Sequence, residues 1–228
     1  MTHIHTDDII KAYDDREITG MEAYRYANTD ADIVLVQMVD EHSLSSIEKE
    51  MEMIRSMTAA EFGLIAVKVD NWNNDLSPWE APAAFGNEAF AGKADKSLDF
   101  LLGLCTDPGR TYYIGGYSLA ALFALWSSYR TDIFSGVAAA SPSVWFPGFS
   151  DYMRENRPKC DTIYLSLGDG EEKTKNRMMS AVGESIRIGH ELLKEQGINC
   201  LLEWNSGNHF KEPLLRTAKA FAWVLNQK

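Results

Sequence analysis

The chain has 228 residues, of which 45% are hydrophobic, 24% charged and 11% aromatic, and a length that lets a folded chain bury about 70% of its unfolded surface; a disordered chain is excluded. Lys and Arg number 22 against 33 Asp and Glu, a formal charge of -11, so the global field repels polyanions and speaks against nucleic acid or an anionic membrane as partner.

The first twenty residues are polar and acidic and predict a short helix or arm, within an N-terminal arm covering residues 1–30. Residues 33–39, IVLVQMV, form a nearly unbroken apolar run of β-branched character, as in a strand buried on both faces. Leu44, Ile47, Met51, Ile54 and Met57 recur at spacings of three and four behind Ser43, which predicts an amphipathic helix over 44–57 capped by that serine. Residues 64–69 (LIAVKV) are the next strand, followed by an irregular stretch to Gly92 whose Trp72, Trp79, Phe85 and Phe90 argue for an ordered, functional loop.

A helix over 94–105 leads to a short strand at 112–114, after which the period switches to helical in GGYSLAALFALWSSYR. Strands follow at 136–140 and 162–167, a long helix at 176–195, a last strand at 200–204 and a last helix at 213–225. This alternation, free of repeats and linkers, predicts one α/β domain over 1–228 with a twisted, mostly parallel sheet of about six to seven strands and helices on both faces.

Cys105, Cys160 and Cys200 are odd in number and far apart, without CxxC or His-rich spacing, the pattern of reduced thiols rather than of a zinc site. No apolar run approaches the roughly 20 residues of a membrane helix, and MTHIHTDDIIKAYDD lacks the basic and apolar regions of a secretory leader. A cytoplasmic location is the resulting expectation.

Gly116-Tyr117-Ser118-Leu119-Ala120 fits G-x-S-x-G with Ala in the last place, between an apolar strand and a helix. Small neighbours are required because such a serine sits on a sharp, strained turn that lifts its hydroxyl above the sheet edge and aims a helix N-terminus at a developing oxyanion. A neutral serine needs a base, and the base an orienting carboxylate, both later in the chain if the order is Ser, acid, His. Of five histidines only His190 and His209 follow Ser118; His190 lies mid-helix, whereas His209 lies in SGNHF directly after the last strand, where a base belongs. The acid comes from Gly168-Asp169-Gly170-Glu171-Glu172 at the end of the strand IYLSL, with Glu171 favoured over Asp169 and Glu172. Leu119 supplies the first oxyanion N–H, and Asp40 or Glu41, after the 33–39 strand, the second. Trp72, Trp79, Tyr117 and Trp145, with Phe146, are candidates for the wall of a substrate crevice.

GGYSLAALFAL, AAASPSVWF, YLSLGDGEEK and GNHF together resemble the small esterases of the α/β-hydrolase superfamily that include the enterochelin (siderophore) esterases and esterase D, and the resemblance runs from Ile33 to the end. It implies the α/β-hydrolase fold and a serine esterase acting on a small-molecule ester, with Ser118 as nucleophile, His209 as base, Glu171 as acid, and no metal or organic cofactor. It leaves the natural ester open, and some relatives resemble a Ser-His dyad more than a triad. Little sequence precedes Ile33 and no insertion is long enough for a separate cap domain, so any cap must come from residues 71–92. A thioesterase, acyltransferase or peptidase would share the machinery, and a catalytically silent binding protein would share the fold.

Overall fold

The computed structural model describes residues 10–12, 21–26, 30–84 and 86–227. Ten strands and eight α-helices occur among them, in the order β1 (Ile10–Ala12), β2 (Glu22–Tyr26), β3 (Ile33–Val39), α1 (Glu41–Leu44), α2 (Ile47–Met57), β4 (Gly63–Lys68), α3 (Trp72–Asp75), β5 (Glu80–Ala81) and β6 (Phe90–Ala91). Then come α4 (Ala94–Leu104), β7 (Thr111–Tyr117), α5 (Leu119–Arg130), β8 (Phe134–Ala140), α6 (Phe149–Glu155), β9 (Thr162–Gly168), α7 (Val182–Glu195), β10 (Asn199–Asn205) and α8 (Pro213–Leu225).

Eight strands make one sheet in the order β1-β2-β4-β3-β7-β8-β9-β10, and the six from β4 to β10 run parallel. The strand β2 joins antiparallel to β4, and β1 antiparallel to β2, so residues 10–12 and 22–26 of the expected arm belong to the sheet. The rest of the first twenty residues, and Phe85, lie outside the described residues.

Burial on two faces explains the unbroken apolar runs. Along β3, Ile33, Leu35 and Val39 pack toward α2 and α8, while Val34, Val36 and Met38 pack toward the layer that holds α4, α5, α6 and α7. The helix α5 crosses the middle of that layer, and every residue from Leu119 to Tyr129 is buried, as expected of a helix apolar all round.

The strands expected at 112–114 and 136–140 extend over 111–117 and 134–140, and two helices and one loop differ from expectation for local reasons. The helix expected over 44–57 is split: Asp40, not Ser43, caps α1, its Oδ1 accepting from Ser43 N at 2.7 Å, and the chain breaks at Ser45 and Ser46 before α2. The helix expected from residue 176 begins as α7 only at Val182, after a single 3-10 turn (Met179–Ala181), because the Asn176 Oδ1 accepts from Met178 N and Met179 N at 3.0 and 3.1 Å and caps that turn instead. The stretch after β4 contains α3 and the two-residue hairpin β5-β6 and forms no separate cap domain.

On α2, Glu50 is buried beside Gln37 of β3, and burial pushes its carboxyl up to about 8 despite the hydrogen bond to Gln37. Folding therefore retains a proton that the unfolded chain releases near its ordinary value, so this group's stabilisation is full below that value and is lost as pH rises toward about 8. Glu50→Gln is expected to raise Tm at pH 8 and to flatten its decline above pH 5, by roughly 2–4 °C for each kcal/mol recovered; calorimetry across that range checks it.

Candidate active site

Strand β7 ends in Gly-Gly-Tyr and delivers Ser118 at the N-terminus of α5 with φ 59° and ψ -121°, a left-handed conformation that a non-glycine residue holds only when its surroundings enforce it. The close packing behind the turn explains Gly116: a Cβ there would lie 2.9 Å from the Cβ of Ala120. Neighbouring chains hold the strained turn, Ser118 N donating to Ala140 O at 3.2 Å and Ser143 N to Ser118 O at 3.1 Å. Leu119 stands at the first position of α5, where a helix N–H has no intrahelical partner and the dipole is positive.

Ser118 Oγ lies 3.0 Å from His209 Nε2, and His209 Nδ1 lies 2.6 Å from Glu171 Oε2. An ionised carboxylate only accepts, so Nδ1 carries the proton and the lone pair of Nε2 faces the serine hydroxyl. Burial would raise the Glu171 carboxyl, but hydrogen bonds from His209, Gly168 N and Ser141, together with the charge of His209, outweigh burial and hold it below the ordinary carboxylate range.

The other oxygen of Glu171 is tied down independently. Its Oε1 accepts from Gly168 N at 2.7 Å, from Ser141 Oγ at 2.8 Å and from Arg216 Nη1 at 2.8 Å. Arg216, on α8, is 2% exposed; its Nη2 donates to Asn208 O at 3.1 Å and Ser206 O at 3.4 Å, in the loop that carries His209. Gly168 admits this cluster, because a Cβ there would meet Gly207 O at 2.3 Å and Arg216 Nη1 at 3.0 Å.

Neither a protein-family model nor a curated protein matches this sequence. Solved structures do match in three dimensions. An IroE-like serine hydrolase from Shewanella oneidensis gives a TM-score of 0.71 at 12% identity, covering 90% of this chain and 75% of that one. The siderophore hydrolase EstB from Aspergillus nidulans gives 0.70 at 15% identity, over 97% and 96%. The enterobactin esterase FES from Shigella flexneri gives 0.56 at 10% identity, over 90% and 56%. The chain has the α/β-hydrolase fold. At these identities the likeness extends to the backbone, and any chemistry of this chain rests on its own side chains.

The expected site residues separate into those brought together and those placed elsewhere. Ser118, His209 and Glu171 converge, while the other two carboxylates of the turn turn away: Asp169 Oδ1 accepts from Gly207 N at 2.8 Å, stapling the turn to the histidine loop, and Glu172 pairs with Arg187 at 3.0 Å. Strand β3 pairs with β7 with Gln37 opposite Gly115, so Asp40 emerges level with Ser118 one strand away. The carboxylates of Asp40 and Glu41 are engaged elsewhere, with Ser43 N at 2.7 Å and Lys68 Nζ at 3.2 Å.

Two neighbouring cavities adjoin the site. One of about 150 Å³ is bounded by Ser118, Leu119, Trp72 and Phe90, another of about 300 Å³ by Asn208, Lys173 and Thr174, and Trp145 and His209 border both. Trp79, Tyr117 and Phe146, expected in the crevice, line neither. Trp79 packs on Phe146 and Phe149, and its Nε1 donates to Pro147 O at 2.9 Å, so it anchors a loop. The Tyr117 hydroxyl donates to His209 O at 2.7 Å and accepts from Arg216 Nη1 at 3.2 Å, so it braces the histidine loop. Among the described residues no three His, Cys, Asp or Glu side chains converge as a metal cage requires.

Arg216, Ser141, Ser143 and Met179 escaped the sequence reading as site residues. Ser143 Oγ lies 3.4 Å from Ser118 Oγ, and Met179 borders both cavities. The available signal for Arg216 was an arginine in the mostly apolar PLLRTAKAFAWVL, where Thr217 and Lys219 are the other polar residues. Arg216→Met is expected to cost about 3–5 kcal/mol, because it strands a buried carboxylate; urea unfolding at pH 7 measures it, and a loss below about 1 kcal/mol, the range of an exposed pair, contradicts that account.

Proposed function

We propose that this chain is a serine esterase that hydrolyses small-molecule carboxylic esters. Ser118 Oγ attacks the ester carbonyl while His209 Nε2 takes its proton, and the developing oxyanion is held by the N–H of Leu119 and a second N–H at Asp40 or Glu41. His209 returns the proton to the departing alcohol, and water, activated by the same imidazole, then releases the acid from the acyl-enzyme. Glu171 keeps the imidazole in the productive tautomer throughout. The observation that carries this reading is the unbroken chain Ser118–His209–Glu171, at 3.0 and 2.6 Å, on a strained turn at the mouth of α5. Neighbours of the same fold described as a serine hydrolase, a siderophore hydrolase and an enterobactin esterase support an ester as the bond cleaved.

A fluorophosphonate, which reacts with activated serines without presuming a substrate, is expected to add one mass increment to the wild type and none to Ser118→Ala. Glu171→Gln, which keeps the size of the side chain but lets it donate to the wrong tautomer, is expected to lower kcat on an activated ester on the order of ten-thousandfold, the scale found when a triad acid becomes an amide. A folded wild type that resists the probe, or full activity in Glu171→Gln, contradicts the respective part of the mechanism.

A further inference from the structure

Resting on the esterase reading, the two cavities also sort the halves of the substrate. The imidazolium that gives its proton to the leaving oxygen is His209, so the alcohol must depart on the His209 side, while the acyl group remains on Ser118 with its oxyanion toward Leu119. The cavity that contains Ser118 and Leu119 measures about 150 Å³ and is walled mainly by Trp72, Phe90, Trp145 and Met179. His209 borders both cavities; the one that excludes Ser118 and Leu119 measures about 300 Å³ and has Lys173, Thr174 and Asn208 on its wall. The second is thus about twice the first. Phe210, between the two, is 85% exposed, an aromatic edge at the common mouth.

The wall of the larger cavity carries one carboxylate, Glu171, whose charge Arg216 offsets, and one ammonium, Lys173. In the segment EEKTKNR, Glu171 is paired with Arg216 and Glu172 with Arg187. Lys173, on the wall of the larger cavity, is exposed and enters no salt bridge among the described residues, and Lys175 and Arg177 in the same segment are exposed and without a salt bridge as well. We propose that the preferred substrate joins a compact apolar acyl group to a larger, polar alcohol that carries a negative charge, with the acyl group seated against Trp72 and the anionic end of the alcohol facing Lys173.

The test compares kcat/KM for 4-carboxybenzyl butanoate, its uncharged isostere 4-carbamoylbenzyl butanoate, methyl butanoate and methyl decanoate. For the wild type, methyl butanoate is expected to outrun methyl decanoate. The carboxybenzyl ester should outrun the carbamoylbenzyl ester about fivefold at low salt, the scale of one exposed ion pair, and the advantage should shrink as salt is added. Lys173→Glu should abolish or invert that preference. Thr174→Trp, which fills the larger cavity from an exposed position, should lower both benzyl esters relative to methyl butanoate, and Trp72→Ala should raise methyl decanoate relative to methyl butanoate. A wild type that prefers methyl decanoate, or a carboxylate preference unchanged in Lys173→Glu, overturns the assignment while leaving the esterase reading intact. No turnover of any of the four esters, together with no fluorophosphonate adduct on Ser118, overturns both.

Discussion

A carboxylate with its charge removed from water is the constraint around which this sheet edge is organised. Glu171 is buried at the end of β9, and an ionised group there costs several kcal/mol unless its oxygens are paired and hydrogen-bonded. Every acceptor position is answered from a different part of the chain: Gly168 N from its own turn, Ser141 from the end of β8, Arg216 from α8 and His209 from the loop after β10. The ion pair with Arg216 is thus less a source of stability than a condition of geometry. The observed arrangement of these four segments leaves no charge stranded, and it points Nε2 of His209 at Ser118.

The sheet contributes by putting the ends of successive parallel strands side by side. Strands β7, β8, β9 and β10 are consecutive in both chain and sheet, so Ser118, Ser141, Glu171 and His209 emerge at one edge without long excursions. Backbone bonds then fix the last ångströms: Asp169 N donates to Asn205 O at 2.8 Å and Gly170 N to Gly207 O at 3.0 Å, continuing the β9-β10 ladder into the two loops that carry Glu171 and His209. The strained turn at Ser118 is tolerable for the same reason, since the buried helix α5 and the strand β8 on its flank leave it no room to relax.

The parts legible in the sequence are those written in local pattern. Doubly buried strands such as β3 show as apolar runs, α5 as a helix apolar all round, and Ser118 as small residues around a serine where a strand period gives way to a helical one. His209 was legible by elimination and position. What local pattern cannot express is partnership across the chain. Arg216 is 45 residues from Glu171 and reads as one of three polar residues in a mostly apolar helix; Ser141 and Ser143 lie in AAASPSVWF without any sign of which faces Glu171 and which Ser118. Trp79 and Tyr117 are the converse case. An aromatic residue in a loop near the site looks the same in sequence whether it lines a crevice or braces a wall, and here both brace.

The choice among Asp169, Glu171 and Glu172 shows what decides when composition does not. Three carboxylates within four residues repel one another, and the structure separates them by giving each a different partner: a backbone N–H, the Arg216 and His209 pair, and Arg187. The consequence reaches the chemistry. A permanent cation 2.8 Å from Oε1 offsets part of the attraction that Glu171 can offer to an imidazolium at Oε2. In the esterase reading, the weight of its contribution therefore falls on orientation and tautomer, which a clamped carboxylate provides better than a free one. The buried arginine thus exchanges some electrostatic help to the base for a ring that is already aimed when the ester arrives.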